Sequence, residues 1–492
     1  MPGPVVETIE TDARPPDRAD VAVIGGGIIG ASTALELAER GLKVVLCEKG
    51  QIGGEQSSRN WGWVRISRRD PREVPLMAEA LRMWEHLSER VGRDIGYRRA
   101  GIMFLAETER SFEQNDAWTR HVHPHQIASR MLTPGEVREI APQLETPIKG
   151  ALYTSADGRA EPQRVAPAIA QAARTRGAHV VTGCAVRALD LEAGRIAGIV
   201  TEAGRVKCSS VVLAGGAWSR LFAGNAGIAL PQLGVVNTVM RTTPVDGPEA
   251  AVWASDVAIR KRADGGYTLA SGVENLVDIV PDSFRLARSF LPALIDDWRS
   301  LRFRVSDQFL HELKRPRHWR PSDITPFEHC RVLDPEPSQR GLRQVWKAAR
   351  RAFPVFEGAD SFALEEGGTD VAILAATDAD GQALSYEITG GADQGAFAID
   401  SATGALSFAE APVYSETAGE NVYEVEYDGE EGPNGISLVV YDQAGNHNPR
   451  PEPGTYPMHS FEIDTQGPVV TFLDDLNGRA VTLSARFKFI QR

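Results

Sequence analysis

The amino-acid sequence predicts an α/β fold for residues 20–357, followed by an all-β region. Three observations carry this prediction. Near the amino terminus an apolar run, a set of closely spaced glycines, a helical pattern and a second apolar run follow one another, which is the order of a β-α-β unit. The charge balance then changes abruptly near residue 357. Beyond that point short alternating segments are separated by glycine-rich turns, the pattern of a β-sandwich.

The β-α-β unit occupies residues 19–48. Residues 19–24 are rich in Val and Ile, the composition of a strand buried in a parallel sheet. Residues 31–40 carry apolar side chains at helical intervals, and residues 42–47 form a second apolar run. These segments therefore predict two parallel strands joined by a helix.

Three glycines and one carboxylate in this unit have the spacing of a dinucleotide-binding site. Gly25, Gly27 and Gly30 stand in the G-x-G-x-x-G arrangement. There the first glycine permits a tight turn, the second lets the backbone approach a pyrophosphate, and the third allows close helix packing. Glu48 ends the second strand eighteen residues beyond Gly30, close to the roughly 20 residues expected for an acid that accepts a ribose hydroxyl. This spacing fits either NAD or FAD.

The loop after the second strand favours FAD. Residues 53–62 read GGEQSSRNWG, and this polar run resembles the loop that lies along the pyrophosphate and ribityl chain in the glycine and D-amino-acid oxidase family. Backbone amides and serine hydroxyls can donate to phosphate, which suits small residues at these positions. Residues 151–167, 210–217 and 327–354 are also similar to the family, so the resemblance spans about residues 20–355. An NAD-dependent enzyme is the weaker alternative.

The resemblance implies a discontinuous architecture and a set of cofactor contacts. It implies a Rossmann-like FAD-binding domain at 20–75 and 150–225, an interleaved α+β substrate domain at 76–149 and 226–357, and a disordered tail at 1–19. In the family the residue at Val186 meets the adenine through its backbone, and the turn at Gly215 and Gly216 lies against the pyrophosphate. The implied cofactor-binding residues are Gly25, Gly27, Ile28, Ile29, Gly30, Glu48, Lys49, Ser57, Ser58, Arg59, Asn60, Val186, Ala214, Gly215, Gly216 and Trp218.

The resemblance also implies a reaction, the oxidation of the CH–NH bond of a small amine or amino acid of the D-amino acid, glycine or sarcosine type. Hydride passes to the flavin, and the protein supplies a clamp for the substrate carboxylate, for which a bidentate arginine is suited. Arg59 lies in the loop that reaches the flavin and Arg65 lies just after it; Arg65 is the stronger candidate because the family often keeps a basic residue in this segment. Tyr267 is a third candidate, through its hydroxyl.

Composition excludes several other functions. No apolar stretch approaches the ~18 residues of a membrane helix, and no basic stripe with interleaved aromatics predicts nucleic-acid binding. The first twenty residues lack the features of a secretion signal, which makes the cytoplasm the expected location. His121, His123 and His125 alternate, but Pro124 interrupts them, so a solvated loop is expected rather than a metal site. Reduced thiols are expected for cysteines that show no paired spacing: Cys47, Cys184, Cys208 and Cys330.

The carboxyl-terminal region differs sharply in charge from the rest of the chain, whose total net charge is −13. Residues 358–492 hold 23 acidic and 5 basic residues, and no Lys or Arg occurs between Arg351 and Arg450. Such a break predicts a domain boundary near residues 356–360.

The same region resembles bacterial adhesion modules. Residues 376–381 read ATDADG and, with the segments that follow, resemble a cadherin-like repeat, expected at 358–432; residues 433–492 resemble a partial Ig-like repeat and a tail. In cadherin repeats such carboxylates hold calcium, which prefers oxygen ligands. The resemblance therefore implies calcium and protein contacts here, with these candidate ligands: Glu365 or Glu366, Asp378 and Asp380.

This juxtaposition leaves two hypotheses open. Family members normally finish with a strand, a glycine-rich turn beneath the flavin and a helix, and nothing after Pro354 resembles that segment. The first hypothesis is a flavoenzyme with an appended β-region, whose catalysis depends on whether the lost segment is essential. The second is a non-catalytic chimeric chain whose acidic β-modules mediate adhesion or calcium-dependent contacts.

Overall fold

The protein was analysed as a computed structural model. It describes residues 5–271, 275–297, 301–335 and 337–359, together with the strand segments of the carboxyl-terminal region. The chain divides into two compact units, the first formed by residues 4–363 and the second mainly by residues 364–492.

From the amino terminus, the first unit begins with a strand-helix-strand unit and continues into a mixed α/β region. Its first elements are β1 (Val21–Ile24), α1 (Ile28–Glu39), β2 (Val44–Cys47), β3 (Trp63–Val64), α2 (Val74–Glu85), α3 (Leu87–Val91), β4 (Ile102–Ala106), α4 (Glu109–Val122), β5 (Ser129–Leu132), α5 (Pro134–Ile140), β6 (Gly150–Thr154), β7 (Gly158–Arg159), α6 (Pro162–Thr175) and β8 (His179–Val181). The unit continues with β9 (Val186–Glu192), β10 (Arg195–Thr201), β11 (Gly204–Lys207), β12 (Ser210–Leu213), α7 (Ser219–Asn225), β13 (Val239–Arg241), β14 (Ala251–Trp253), β15 (Ala258–Lys261), β16 (Tyr267–Ala270), β17 (Asn275–Asp278), α8 (Pro281–Arg285), α9 (Ala287–Asp297), β18 (Leu301–Arg304), α10 (Gln308–Lys314), α11 (Pro326–His329) and α12 (Gln339–Ala352).

A four-stranded parallel sheet in the order β12-β1-β2-β8 forms the centre of the predicted nucleotide-binding domain. Every residue of β1 and β2 is buried, as expected for the central strands of a parallel sheet. Helices α1 and α6 pack together and contribute Ala34, Leu35 and Ile169 to the same apolar core. The predicted β-α-β unit is therefore confirmed, with boundaries that differ by up to three residues.

A seven-stranded sheet in the order β13-β16-β15-β14-β4-β6-β5 forms the second layer of the unit. It includes β6, whose residues 150–154 were expected in the nucleotide-binding domain; β6 instead pairs with both β4 and β5. A hairpin with its turn at Asp264 and Gly265 joins β15 and β16. Residues 251–261 form two antiparallel strands, β14 and β15, because the chain turns where Ala254 N–H donates to the Val257 carbonyl.

The amino-terminal segment differs from the sequence-based expectation. Residues 5–19, expected to form a disordered tail, pack on the parallel sheet: Asp12 N–H donates to the Val180 carbonyl at 2.7 Å, and Val6 is buried. Backbone pairing with an edge strand holds this segment in place.

The second unit contains strands that form two sheets, β19-β22-β21 and β20-β24-β23-β26-β25. The candidate calcium ligands lie outside the described residues: Glu365, Glu366, Asp378 and Asp380. Most of the sequence that resembles cadherin-like and Ig-like repeats also lies outside them. No helix among the described residues is long and apolar enough to cross a membrane. The strands of this unit are β19 (Asp370–Ile373), β20 (Ser385–Gly390), β21 (Phe397–Ile399), β22 (Ala405–Phe408), β23 (Asn421–Asp428), β24 (Gly435–Tyr441), β25 (His459–Ile463) and β26 (Leu483–Phe489).

Candidate cofactor cleft and adjoining substrate side

A cleft of about 400 Å³ opens where β1, β2 and β12 end at the same edge of the parallel sheet. Ligands of open α/β sheets bind at the carboxyl ends of the strands, so this is the expected place for a nucleotide. Most of the predicted cofactor residues line it: Gly25, Gly27, Ile28, Ile29, Glu48, Lys49, Ser57, Asn60, Val186, Ala214, Gly215, Gly216 and Trp218.

The glycine turn between β1 and α1 leaves no room for side chains at two positions. Gly25 has φ +104°, and a Cβ there would lie 2.5 Å from the Ala214 carbonyl oxygen. A Cβ on Gly30 would lie 1.8 Å from the Gly25 carbonyl oxygen. At Gly27 a Cβ would meet only the Ser57 hydroxyl, at 3.1 Å, because this position faces the cleft. Gly30 therefore acts by allowing α1 to pack closely rather than by touching a ligand.

The Glu48 carboxylate is held beside this turn by two backbone amides. Gly26 N–H donates to Glu48 Oε2 at 2.6 Å, and Gly50 N–H donates to Oε1 at 2.8 Å. Burial raises the pKa of Glu48, and these two hydrogen bonds oppose the rise. Both oxygens are thereby fixed at the end of β2, where a ribose hydroxyl can donate to the carboxylate.

The predicted loop over residues 53–62 closes the helix end of the cleft. Ser57 Oγ accepts from Ile28 N–H at 2.9 Å at the start of α1. Asn60 organises its own turn, since its side-chain amide donates to the Ser57 carbonyl and its oxygen accepts from Gly62 N–H. Ser58 faces the interior and its hydroxyl donates to the Glu55 carbonyl, so its side chain does not line the cleft.

Glu55 is a cleft residue that the prediction omitted. Its Oε1 accepts from Lys49 Nζ at 2.6 Å, from Trp218 Nε1 at 3.0 Å and from Leu333 N–H at 2.8 Å. Lys49 Nζ also donates to the carbonyls of Cys330 and of the residue after it. The ammonium therefore ties the cleft wall to residues 330–333, and the Lys49 carbonyl, which accepts from Arg331 at 3.0 Å, joins the same wall. Only long-range partners reveal this role.

A second turn, after β12, faces the first. Ala214 N–H donates to the Ile24 carbonyl at 2.8 Å, which holds the two strand ends together. Gly216 has φ +51° and no atom within 4 Å of an added Cβ, so its backbone is open to the cleft. Other lining residues absent from the prediction are Ile24, Cys47, Gln51, Gly53, Gly54, Gln56, Leu213, Ala217, Ser219, Phe222 and Phe327.

These residues fit FAD. Two turns with open glycine backbone face the cleft at the amino end of α1, which is the arrangement that binds a pyrophosphate. The Glu48 carboxylate is fixed where a ribose would lie, and Val186 lines the cleft at the start of β9. When bound, FAD would supply the hydride-accepting flavin ring.

A family model for FAD dependent oxidoreductases, DAO, matches residues 20–368. The chain belongs to this family. Among curated relatives, a glycine oxidase from Geobacillus kaustophilus is 32% identical over 251 residues, covering 49% of this chain and 66% of that protein. Human mitochondrial sarcosine dehydrogenase is 27% identical over 272 residues, 52% of this chain and 30% of that protein. The chain thus spans less than two thirds of the length of these curated relatives.

Solved structures agree with this membership of the DAO family. An L-amino acid deaminase from Proteus myxofaciens, in complex with anthranilate, has a TM-score of 0.70 and 30% identity, covering 75% of this chain and 86% of that chain. The G. kaustophilus glycine oxidase structure, at 22% identity and a TM-score of 0.53, shares the fold. The α/β fold expected for the first unit is therefore confirmed.

In this DAO-family chain, the two predicted arginines have different surroundings. Arg59 donates to Asp334 at 2.5 Å and to the Leu333 carbonyl at 3.0 Å, so its charge is neutralised. Its side chain does not line the cleft. Arg65 does not line the cleft either. It is half-buried, donates to the Ser67 carbonyl, and forms no ion pair with a described residue. Burial and neighbouring arginines lower the pKa of Arg65 to about 10.

Arg65 lies at the edge of an aromatic cluster. Its guanidinium stands 5.6 Å from the centre of the Phe104 ring. Phe104 stacks on Trp253 at 5.5 Å, and Trp61 and Trp63 pack on Trp253 at 5.2 and 5.9 Å. Trp61 follows Asn60, a cleft residue, so the cluster adjoins the cleft through the chain.

Tyr267 does not join these residues. It is fully buried in β16, and its hydroxyl donates to the Pro248 carbonyl at 2.9 Å. Its ring packs on Phe356. Burial raises the pKa of Tyr267, and the hydroxyl expected to face a substrate is instead bonded to backbone.

The histidines and cysteines behave as ordinary structural residues. His121 lies in α4 and His123 and His125 in a 3-10 turn after it, rather than in a loop. No group of three potential metal ligands occurs in the described part of the chain. The four cysteines are free, as expected, and three of them are buried.

Proposed function

We propose that the first unit oxidises the CH–NH bond of an amine that carries a carboxylate, in the manner of an amino-acid oxidase or dehydrogenase. The family membership supports FAD-dependent oxidation in general. The named relatives act on glycine, sarcosine or L-amino acids, and these molecules share an amine next to a carboxylate. The reaction class follows from what those substrates have in common.

The single observation that carries the proposal is the state of Arg65. Arg65 forms no ion pair with any residue in the described part of the chain. Burying its guanidinium costs desolvation energy, and a bound anion compensates for that cost. Arg59 is already paired with Asp334 and is the weaker clamp. Arg65 therefore binds the substrate carboxylate, and the aromatic cluster around Phe104 excludes water from that side.

The chain's other residues bind and orient. Glu48, Ser57 and the turns at Gly25 and Gly216 would hold the dinucleotide. The reaction requires the substrate amine in its neutral form, so that its lone pair can support loss of hydride from the neighbouring carbon. Water then hydrolyses the imine product. FAD, when bound, accepts the hydride.

The test begins with the full chain reconstituted with FAD. Glycine, sarcosine, and D- and L-amino acids are added without oxygen, and bleaching of the flavin is followed with detection of the carbonyl product. At least one of them bleaches the flavin if the proposal is correct. Flavin that is bound but reduced by none of these amines contradicts it, and a colourless chain that fails to bind FAD favours the non-catalytic alternative.

The role of Arg65 is tested with the same substrates. Arg65→Lys keeps the charge but loses the bidentate geometry, so KM rises about tenfold or more while kcat changes less. Arg72→Ala is the matched control, because the Arg72 side chain is 90% exposed and is paired with Asp70. Unchanged KM in Arg65→Lys contradicts the assignment.

A further inference from the structure

We propose that Asp157 is a positioning residue for Arg65: its buried carboxylate fixes the Ile66–Ser67 backbone and, through Ser67, holds the guanidinium ready for the substrate carboxylate. This inference rests on the proposed function, because it assigns a support to the residue that binds substrate there. Asp157 was not among the predicted site residues, and it does not line the cofactor cleft.

The sheet register places Asp157 beside Arg65. Strands β3 and β7 are antiparallel, with Trp63 opposite Arg159 and Val64 opposite Gly158. Extending this register by one pair brings Arg65 opposite Asp157, just beyond the end of the two strands.

The Asp157 carboxylate is saturated by the segment that follows Arg65. Its Oδ1 accepts from Ile66 N–H at 2.7 Å, and its Oδ2 accepts from Ser67 N–H at 3.3 Å and from the Ser67 hydroxyl. The side chain is fully buried, with 0% exposure. A buried carboxylate bound by three donors fixes the geometry of the residues that carry them, since breaking any of these bonds leaves a buried charge undersatisfied.

Ser67 connects the carboxylate to the guanidinium. The Ser67 hydroxyl donates to Asp157, while the Ser67 carbonyl accepts from Arg65 Nη1. Asp157 therefore attracts Arg65 without forming an ion pair with it, and no other described residue accepts from the remaining guanidinium N–H groups. A direct ion pair, such as the one that Arg59 makes with Asp334, would occupy those donors.

Electrostatics supports the same relation. Burial raises the pKa of Asp157 to about 6. The hydrogen bonds from Ser67 and Ile66 oppose that rise, and the positive charge of Arg65 adds a smaller effect in the same direction. The same attraction raises the pKa of Arg65 against the lowering by burial. Each charge thus stabilises the other across the serine.

The experiment measures the affinity of the FAD-loaded full chain for benzoate, a carboxylate that cannot be oxidised at a CH–NH bond, by the change in flavin absorbance. Asp157→Asn and Ser67→Ala are each expected to weaken benzoate binding about tenfold or more, with FAD affinity changed less than twofold. Ser67→Ala removes only the connecting hydroxyl and keeps the test informative if Asp157→Asn fails to fold. Asp278→Asn is the matched control, because Asp278 also accepts a serine hydroxyl and is 11% exposed, and it leaves benzoate binding unchanged.

A double-variant comparison separates positioning from a general structural role. In an Arg65→Lys background, Asp157→Asn is expected to weaken benzoate binding by less than a further twofold, because the geometry it supports is already lost. The same tenfold loss in that background, or no loss in the single variants, overturns the inference. Amine-dependent bleaching of the wild-type flavin is measured in parallel. If no amine bleaches the flavin, the proposed function is refuted. If the flavin is bleached but the losses in the double variant are additive, only the role of Asp157 is refuted.

Discussion

Replacing Gly30 by alanine tests the geometry of the cleft where it is tightest. Ordinary contact begins at 3.4 Å and the new methyl would stand 1.8 Å from the Gly25 carbonyl oxygen, so α1 and the turn must separate by about 1.6 Å. Forcing a methylene into a packed site of this kind costs about 1–3 kcal/mol. The displaced turn is the backbone that faces the pyrophosphate, so FAD affinity falls at least about tenfold together with stability.

The assay is titration of FAD into the apo chain, followed by flavin fluorescence, with thermal unfolding measured on the same samples. Gly135→Ala is the matched control, since Gly135 lies in α5 and its added Cβ meets nothing nearer than Thr133 Oγ1 at 3.9 Å. That control retains wild-type FAD affinity. If Gly30→Ala binds FAD within twofold of wild type and unfolds at the same temperature, the reasoning about the turn is refuted.

Four further predictions address individual contacts. Glu48→Gln lowers the affinity for FAD about tenfold but leaves the affinity for FMN, which lacks the adenosine ribose, unchanged. Titrations in which both flavins lose the same affinity contradict a role of Glu48 in binding the ribose. Tyr267→Phe removes the bond to a backbone carbonyl and lowers the free energy of unfolding by about 1 kcal/mol without changing kcat; a large fall in kcat would restore it as a catalytic candidate. Arg260→Ala leaves Glu161 buried without the partner that lies 2.9 Å away, and it lowers the free energy of unfolding in urea by about 3–5 kcal/mol. A decrease of less than about 1 kcal/mol contradicts the stabilising role of this buried ion pair. The folded-state pKa of Asp157 is raised from 3.8 to about 6, so its contribution to the free energy of unfolding is largest below about pH 4. That contribution falls by up to about 3 kcal/mol as the pH rises to 6. The fall is absent when urea unfolding of Asp157→Asn is measured over the same pH range.

The parts of the fold that the sequence predicted are those encoded by local patterns. The apolar runs of β1 and β2, the helical spacing of α1 and the glycine spacing between them each depend on neighbouring residues. Glu48 could be placed because it directly follows a strand that is parallel to the one before the glycine turn. The turn at Gly215 and Gly216, by contrast, was assigned to the cofactor through the family resemblance, and it lines the cleft.

The parts that sequence reasoning missed depend on partners far apart in the chain. Glu55 accepts from Leu333, 278 residues away, and Lys49 donates to the Cys330 carbonyl, 281 residues away. No local pattern encodes such pairs. Tyr267 was considered for its hydroxyl, but alternation in a strand does not tell which face is buried or whether a carbonyl already accepts from that hydroxyl.

Asp157 illustrates the same limit at the candidate substrate side. It occurs in a short turn with no periodic signal, and its relation to Arg65 arises only when β3 and β7 pair. Arg65 itself was reached through the family resemblance. That it forms no ion pair with any described residue, although Asp157 lies close enough to interact with its charge, could be known only from the positions of the surrounding side chains.

The most direct test of the central claim, that the cleft at the ends of β1, β2 and β12 binds FAD, is titration of the purified full chain with FAD, followed by flavin absorbance and fluorescence. A saturable signal at one FAD per chain, weakened by Gly30→Ala and by Glu48→Gln, is the predicted result. No binding, or binding that neither substitution alters, would contradict it.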